Sequence, residues 1–262
     1  MIKKMDLSTS FWGIKKMNRI SNYKNLSNRI VNWMEDYIKS SNLNCFVVGV
    51  SGGIDSAVVS TLASETKYNV IALGMPIHQD PNQQSLSDAH LRWLSGKYIN
   101  VKAEKIDLTN TFETFRKDLE GYATDKHALA NTRSRLRMMT LYQFAGQYKG
   151  IVVGTGNKVE DYGVGFYTKY GDGGVDIAPI ADLYKTEVWE LGKHLGVDSR
   201  IVEAKPTDGL WDDKRTDEDQ LGASYTELEE AMEHGTGSAV EVLKKFNTQN
   251  KHKMEPIPTF KL

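Results

Sequence analysis

The sequence predicts an α/β fold: a doubly wound parallel sheet with helices on both faces. Two observations carry this prediction. Short apolar runs alternate with helix-like patterns through the first 150 residues, as in chains that build parallel sheets. Two glycine-containing turns, GVSGGIDS (49–56) and GTGNKVE (154–160), each directly follow such a run. Ligands of these sheets lie at the carboxyl ends of the strands, so both turns are expected at the binding edge.

The elements follow from apolar spacing and breaker residues. Leu26, Ile30 and Met34 recur at helical intervals and predict the first helix. The predicted strands are short apolar runs at 44–50, 70–73, 101–106 and 151–153. The predicted helices cover 24–40, 56–63, 85–98, 109–122, 128–148, 221–233 and 239–246.

Two stretches lack a clear period. Residues 154–176 are rich in glycine with interspersed aromatic and charged side chains, and residues 205–220 are polar and acidic. Long segments of this kind inside a compact chain are often functional, so both are expected to be binding loops.

Composition limits the function. The chain has 262 residues, of which 40% are hydrophobic and 26% charged, and its formal net charge is −1. This balance argues against a dedicated nucleic-acid binder. We expect one domain over 1–262, with no membrane span, no signal peptide and a cytoplasmic location. The single Cys45 allows no disulfide within the chain and is expected to be a buried packing thiol.

The turn GVSGGIDS combines features of an anion site with one acidic residue. Gly52 and Gly53 let the backbone approach a ligand, and the helix that follows offers free N–H groups. No lysine follows the glycines, so the G-x-x-x-x-G-K-[ST] phosphate loop is absent. Asp55 is explained if it holds a magnesium ion beside the phosphates. The alternative is a tight turn in which Asp55 only caps the helix.

A resemblance makes this interpretation specific. SGGIDS resembles the SGGxDS signature of the PP-loop ATP pyrophosphatases. NTRSRLRM (131–138), GTGNKVE (154–160), TKYGDGGVDIAPIADLYKTEV (168–188) and DEDQLGASY (217–225) resemble, in that order, the ammonia-dependent NAD synthetases. The likeness runs from about residue 25 to His252-Lys253.

The resemblance implies a Rossmann-like, adenine nucleotide alpha hydrolase-like fold and a carbon–nitrogen ligase. The carboxylate of deamido-NAD would attack the α-phosphate of ATP to give an acyl-adenylate and pyrophosphate, and ammonia would then displace AMP to leave NAD. It also implies Mg²⁺ and a homodimer. A fused glutaminase domain is not expected, because its nucleophilic cysteine has no counterpart here, but a separate glutaminase subunit stays open.

The resemblance further implies roles for individual residues. Asp55 and Lys185 would be catalytic, and Asp55 and Glu160 would bind magnesium. The residues expected to bind ATP are Gly49, Val50, Ser51, Gly52, Gly53, Ile54, Asp55, Ser56, Thr155, Lys185 and Thr207. The residues expected to bind deamido-NAD are Arg135, Lys169, Asp176, His252 and Lys253.

Simpler interpretations exist for several of these residues. On a helix, Arg133 and Arg137 share a face and Arg135 points away from it, so the three arginines cannot all reach one ligand. Lys185 could be an ordinary surface charge at a helix start, and His252-Lys253 a polar tail. In family members an arginine that helps hold ATP often precedes the Leu-Pro after the second strand, whereas this chain has Gly74 there.

Two alternative functions remain open at this point. Another PP-loop activity, such as tRNA modification, usually needs exposed cysteines and a basic surface, which the composition does not offer. A non-catalytic adenine-nucleotide-binding module would not need both carboxylates, Asp55 and Glu160.

Overall fold

The computed structural model describes residues 20–261 except 212 and 214. Its sheet has four parallel strands in the order β3-β2-β1-β4. The strands are β1 (Cys45–Gly49), β2 (Asn69–Gly74), β3 (Val101–Lys105) and β4 (Gly150–Val153). In register, Val47 of β1 lies opposite Ile71 of β2 and Val152 of β4. The predicted N-terminal features before residue 20 lie outside the described residues.

Ten helices surround this sheet within the described part of the chain. They are α1 (Tyr23–Ser40), α2 (Ile54–Ser64), α3 (Pro81–Lys97), α4 (Thr109–Asp118), α5 (Lys126–Tyr148), α6 (Lys185–Leu195), α7 (Ser199–Val202), α8 (Asp217–Leu221), α9 (Tyr225–His234) and α10 (Val240–Met254). Between β4 and α6, residues Val159–Val164 form a π-helical turn. None of the helices in the described residues has the length and apolar character needed to cross a bilayer.

The alternation of side chains along β1 builds a core on each face of the sheet. Phe46 and Val48 pack with apolar residues of α1, α2 and α6. Cys45 and Val47 point to the other face, where they join a core with residues of α4 and α5. The predicted fold, a parallel sheet with helices on both faces, is confirmed. Cys45 is the buried packing thiol that was expected, and burial raises its pKa to about 11.

A third core holds the C-terminal helices against the π-helical turn. Tyr184 and Tyr225 are both almost completely buried in it, together with Val159, Leu228 and Leu243. This core fixes the turn, the start of α6 and the start of α9 relative to one another.

Several predicted element boundaries are wrong. Helix α3 begins at Pro81 instead of residue 85. The helix predicted at 221–233 begins at Tyr225, because Gly222 adopts φ +76° and ends the separate helix α8, after which Ser224 caps α9 through the Glu227 amide. Helix α4 ends at Asp118 instead of residue 122. Helix α10 continues to Met254, so His252 and Lys253 belong to its last turn rather than to a tail.

Candidate active site

A cavity of about 420 Å³ opens at the carboxyl edge of the sheet. The segments that follow β1, β2 and β4 all contribute to its wall, as the predicted topology requires. Every residue predicted to bind ATP or metal lines this cavity: Gly49, Val50, Ser51, Gly52, Gly53, Ile54, Asp55, Ser56, Thr155, Glu160, Lys185 and Thr207. The structure therefore brings this part of the prediction together in one place.

The turn after β1 is shaped by its own hydrogen bonds. The Ser56 hydroxyl accepts from the Ser51 amide at 3.1 Å and donates to the Gly53 carbonyl at 3.0 Å. Gly52 adopts φ +92°, and a Cβ there would lie 2.5 Å from the carbonyl oxygen of Gln83, so this position requires glycine. The result is a rigid turn that directs the N-terminus of α2 into the cavity, where its N–H groups favour an anion.

A buried lysine joins two carboxylates on the cavity wall. The Lys185 Nζ lies 2.6 Å from Asp55 Oδ2 and 3.1 Å from Glu160 Oε1. The Lys185 side chain is only 2% exposed, which excludes the alternative of a surface charge. Burial alone would lower the pKa of Lys185, but attraction to Asp55 and Glu160 outweighs it and raises the pKa, so the side chain stays an ammonium ion.

Two acidic residues anchor the start of α6 and thereby place Lys185. The Glu187 carboxylate accepts from the Tyr184 amide at 2.9 Å, across the helix N-terminus. Glu229 of α9, which is buried, accepts from both the Thr186 amide at 2.9 Å and the Thr186 hydroxyl at 2.7 Å. Carboxylates also suit the positive end of the helix dipole. The ammonium group is thus held by a fixed helix end.

The π-helical turn supplies Glu160. The Asn157 side chain starts the turn: its Oδ1 accepts from the Val159 and Glu160 amides, and its Nδ2 donates to Asp55 Oδ1 at 3.0 Å. One asparagine therefore ties the turn directly to the carboxylate on α2. Asp161, the next residue, also lines the cavity, and burial together with the Glu160 carboxylate raises its pKa to about 8.

Tyr225 and Asp217 complete the wall behind Glu160, and sequence reasoning assigned them no role. The Tyr225 hydroxyl lies 2.7 Å from Glu160 Oε1 and 3.1 Å from Asp217 Oδ2. The Lys185 Nζ also lies 4.7 Å from the centre of the Tyr225 ring. Burial and the Glu160 carboxylate raise the pKa of Asp217 to about 7, against the opposing charge of Lys185. Both residues belong to the segment DEDQLGASY (217–225), and the family resemblance of this segment is the sequence signal that could have pointed to them.

The pair Asp55 and Glu160 fits a hard cation. Both carboxylates already turn towards a single positive centre, the Lys185 ammonium. In the described residues no cluster of three or more His, Cys, Asp or Glu side chains is arranged to hold a metal. A magnesium ion here would therefore take the remainder of its oxygen ligands from water and phosphates, which is its usual preference.

The residues predicted to bind the dinucleotide acid lie elsewhere. We call Arg135, Lys169, Asp176, His252 and Lys253 the outer group, and none of them lines the cavity. The three cations donate to backbone carbonyls: Arg135 Nε to Lys169, Lys169 Nζ to His252, and Lys253 Nζ to Tyr167, at 2.8 to 3.2 Å. Asp176 accepts from the Tyr142 hydroxyl and the Val152 amide, both at 2.8 Å.

The three arginines of α5 separate as the helical spacing predicts. Arg137 lines the cavity and Arg133 donates to the Leu210 carbonyl, whereas Arg135 is exposed on the other side. A Cβ at position 74 would lie 2.9 Å from Leu91 Cδ1, so a larger residue there would require the Leu91 side chain to shift. The guanidinium of Arg137 donates to the carbonyl of Met75, the residue after Gly74. A positive charge therefore lies beside position 74, although the residue at that position is glycine.

Comparison with known proteins gives a consistent result. A family model described as NAD synthase matches residues 26–258. The NH(3)-dependent NAD(+) synthetase of Carboxydothermus hydrogenoformans is 35% identical over 238 residues, which cover 88% of this chain and 95% of that protein.

Two solved structures resemble this one over almost its whole length. The NMN synthetase of Francisella tularensis has a TM-score of 0.84 and 34% identity, covering 93% of this chain and 100% of its own. The NH3-dependent NAD synthetase of Campylobacter jejuni has a TM-score of 0.75 and 26% identity, covering 92% of this chain and 100% of its own.

Proposed function

The chain belongs to the NAD synthase family, and we propose that it amidates deamido-NAD to NAD with ammonia and ATP. The observation that carries the proposal is the meeting of three elements in one cavity: the GVSGGIDS turn, the Asp55–Lys185–Glu160 cluster and the N-terminus of α2. This arrangement supports chemistry on a nucleotide phosphate, since it places donors for phosphate oxygens beside fixed charges.

The reaction follows in two steps. A carboxylate oxygen of the acid attacks the α-phosphorus of ATP, the α–β anhydride bond breaks, and pyrophosphate leaves. The nitrogen of ammonia then attacks the acyl carbon, AMP leaves, and the nitrogen loses a proton. The turn at 51–56 binds the leaving pyrophosphate through the backbone N–H groups at the start of α2, which has no side-chain cap. Lys185 supplies positive charge where negative charge accumulates on the phosphates.

Asp55 and Glu160 would hold magnesium. The ion would neutralise phosphate charge and so make the α-phosphorus easier to attack. The other side chains act on this pair: Asn157 orients Asp55, and Tyr225 orients Glu160. Thr155 and Thr207 also line the cavity and would contact other parts of ATP.

The same proposal includes the nitrogen source, the domain organisation, the oligomeric state and the location of the enzyme. Ammonia is the nitrogen source, the chain acts as a single domain, and the protein works as a homodimer in the cytoplasm. The outer group supports the dimer, because Arg135, Asp176 and His252 are exposed on a surface outside the cavity. A separate glutaminase subunit would show itself as activity with glutamine only when that subunit is added.

A second acceptor deserves a direct test. The resemblance to the Francisella tularensis NMN synthetase is strong in both fold and sequence. NMN is the mononucleotide half of NAD, so the corresponding substrate would be nicotinic acid mononucleotide. The cavity that holds the carboxylate and ATP would serve either acid, and the outer group is where the two acids would differ.

One experiment decides both questions. The purified protein is incubated with ATP, MgCl₂ and either deamido-NAD or nicotinic acid mononucleotide, with ammonium, glutamine or neither, and pyrophosphate and amide product are measured. NAD from deamido-NAD with ammonium confirms the proposal, and a higher kcat/KM for the mononucleotide replaces it with the second candidate. Absence of pyrophosphate in every mixture, from a folded protein that binds ATP, would contradict both and favour a non-catalytic nucleotide-binding module.

A further inference from the structure

Arg137 is a cation on the cavity wall that the proposed roles leave unused. It lies on α5, one turn after Arg133, and its side chain is half-buried. Its Nε donates to the Met75 carbonyl at 2.9 Å and its Nη2 donates to Gln79 Oε1 at 3.0 Å. Both acceptors are neutral. Nη1 and the second proton of Nη2 have no protein acceptor among the described residues.

Arg137 has two aspartates in its surroundings, Asp172 and Asp208, but pairs directly with neither. Within the described part of the chain, no ion pair joins it to an aspartate or glutamate, whereas Lys185 on the same wall pairs with two carboxylates. Burial and the positive charge of Arg133 lower the pKa of Arg137 to about 10, against the attraction of Asp172 and Asp208, so it remains charged at neutral pH. A half-buried guanidinium with neutral anchors is stabilised when a ligand brings an anion to it.

Two glutamines connect Arg137 to the turn at 51–56. The Gln83 carbonyl packs directly against Gly52, and the Gln83 side chain accepts from Gln79 Nε2 at 2.5 Å. Gln79 in turn accepts from Arg137. Two glutamines therefore separate the guanidinium from the turn at 51–56. Under the proposed function that turn binds the leaving pyrophosphate, so the phosphate that stays with the adenosine would lie beyond it, towards Arg137.

We propose that Arg137 binds the α-phosphate of ATP and keeps hold of it in the acyl-adenylate and in AMP. This assignment rests on the proposed function for the identity of the nucleotide. The planar guanidinium, fixed at Met75 and Gln79, directs its remaining N–H groups at two oxygens of one phosphate. Because the α-phosphate is the group under attack, Arg137 contacts the reacting atoms.

The test separates phosphate binding from a structural role of the same side chain. Binding of AMP, adenosine and inorganic pyrophosphate is measured by calorimetry, in MgCl₂, for the native chain, Arg137→Met, Arg137→Lys and the exposed control Arg116→Met. Loss of a charge-assisted, two-point contact weakens AMP binding by about 10- to 100-fold in Arg137→Met. Adenosine and pyrophosphate binding stay unchanged, and Arg137→Lys retains part of the AMP affinity because the charge survives without the fork.

Three results would overturn the assignment. Equal losses of affinity for AMP and for adenosine would show that Arg137 has only a structural role, in which it holds α5 against the loop after β2. A selective loss for pyrophosphate would place it with the leaving group, and unchanged AMP binding would remove it from the site. If Arg137→Met fails to fold, the same comparison in Arg137→Lys decides. Because binding of AMP does not require amidation, a failed activity assay together with a selective AMP loss would reject the proposed function but still show that Arg137 binds the phosphate attached to adenosine.

Discussion

The cluster around Lys185 in the cavity and the outer group use charge in opposite ways. In that cluster, charged side chains bind one another: Lys185 lies between Asp55 and Glu160, and Tyr225 lies behind them. In the outer group, the cations of Arg135 and Lys169 donate to backbone carbonyls instead, and no acidic side chain pairs with them in the described residues.

This difference indicates which physical property matters for the function of each region. The cavity has its geometry fixed by the contacts of a single chain, so its chemistry depends on a few buried residues. The outer group is held in place by main-chain contacts and keeps its charge available, which suits recognition of a polar ligand or of a second subunit. Variants of the cavity should therefore change catalysis and stability strongly, while variants of the outer group should change the apparent affinity for one substrate.

The largest effect is expected for Asp55→Ala. It removes the carboxylate that meets both Lys185 and the proposed magnesium ion, so pyrophosphate release should fall by at least about 100-fold. The measurement is pyrophosphate release with ATP, MgCl₂ and deamido-NAD, and the exposed Asp118→Ala serves as the control. Near-normal turnover of the Asp55 variant would eliminate its role as a metal ligand.

The Lys185→Met variant should show how strongly the repulsion between the Asp55 and Glu160 carboxylates destabilises the folded chain. Without the ammonium group, the half-buried Asp55 and Glu160 lie together with no counter-charge, so the free energy of unfolding should fall by about 2–4 kcal/mol. Magnesium should restore part of this loss, because it replaces the missing cation. Denaturation with and without MgCl₂ measures both effects, with the exposed Lys193→Met as the control on the same helix.

If MgCl₂ stabilises native protein and Lys185→Met equally, the two carboxylates do not share a cation site. That outcome would mean that Lys185, Asp55 and Glu160 form an ordinary structural ion pair. The cavity and the outer group would then differ only in how deeply their charged side chains are buried.

A pH effect should follow from Asp217. Its pKa is raised to about 7 in the folded chain, above the ordinary value of 3.8, so between these values the folded state keeps a proton that the unfolded state releases. Stability should therefore fall as the pH rises through this window. Asp217→Asn removes the penalty and should be more stable than the native chain at pH 8, by about 2–4 kcal/mol, with little difference near pH 4.

The neighbouring Asp219 gives a control of opposite sign. Hydrogen bonds from Thr216 lower the pKa of Asp219, so its ionised form stabilises the folded chain above its ordinary pKa. Asp219→Asn should thus be less stable than the native chain at pH 8. Urea unfolding at pH 4 and pH 8 measures both variants, and parallel curves for Asp217→Asn and native protein would show that Asp217 ionises freely.

The smallest effect is expected in the outer group. Arg135→Ala should raise the apparent KM for the acid by about tenfold while kcat and the KM for ATP stay unchanged, because Arg135 is exposed and outside the cavity. Steady-state kinetics with each substrate varied in turn measures this, with the exposed Lys117→Ala as the control. A fall in kcat without a change in KM would place Arg135 in the chemistry and erase the distinction between the two regions.

The sequence was informative where local pattern and motif agree. Alternation of apolar runs predicted the four strands, and the two turns at the ends of β1 and β4 correctly indicated the edge that carries the cavity. Helical spacing separated Arg135 from Arg133 and Arg137, but it could not say which face of α5 meets the cavity. That depends on the apolar contacts of Met138 and Leu141 with the sheet.

Features that depend on distant contacts could not be predicted. Tyr225 reaches Glu160 across 65 positions, and Asn157 reaches Asp55 across 102. Glu229 holds the start of α6 from another helix. The π-helical turn also escaped prediction, since glycine-rich sequence gives no regular period and the turn is held by the third core.

The π-helical turn at Val159–Val164 makes the length of this segment as important as its residues. An α-helix turns by about 100° for each residue and the wider π-helical turn by somewhat less, so deleting one residue here would rotate the following residues away from their present direction. Glu160 has to point at Lys185 while Val164 has to enter the third core. Substitutions that preserve both contacts are tolerable, whereas insertions and deletions are not. We therefore expect chain length to be invariant from Asn157 to Gly165, even where the residue types change.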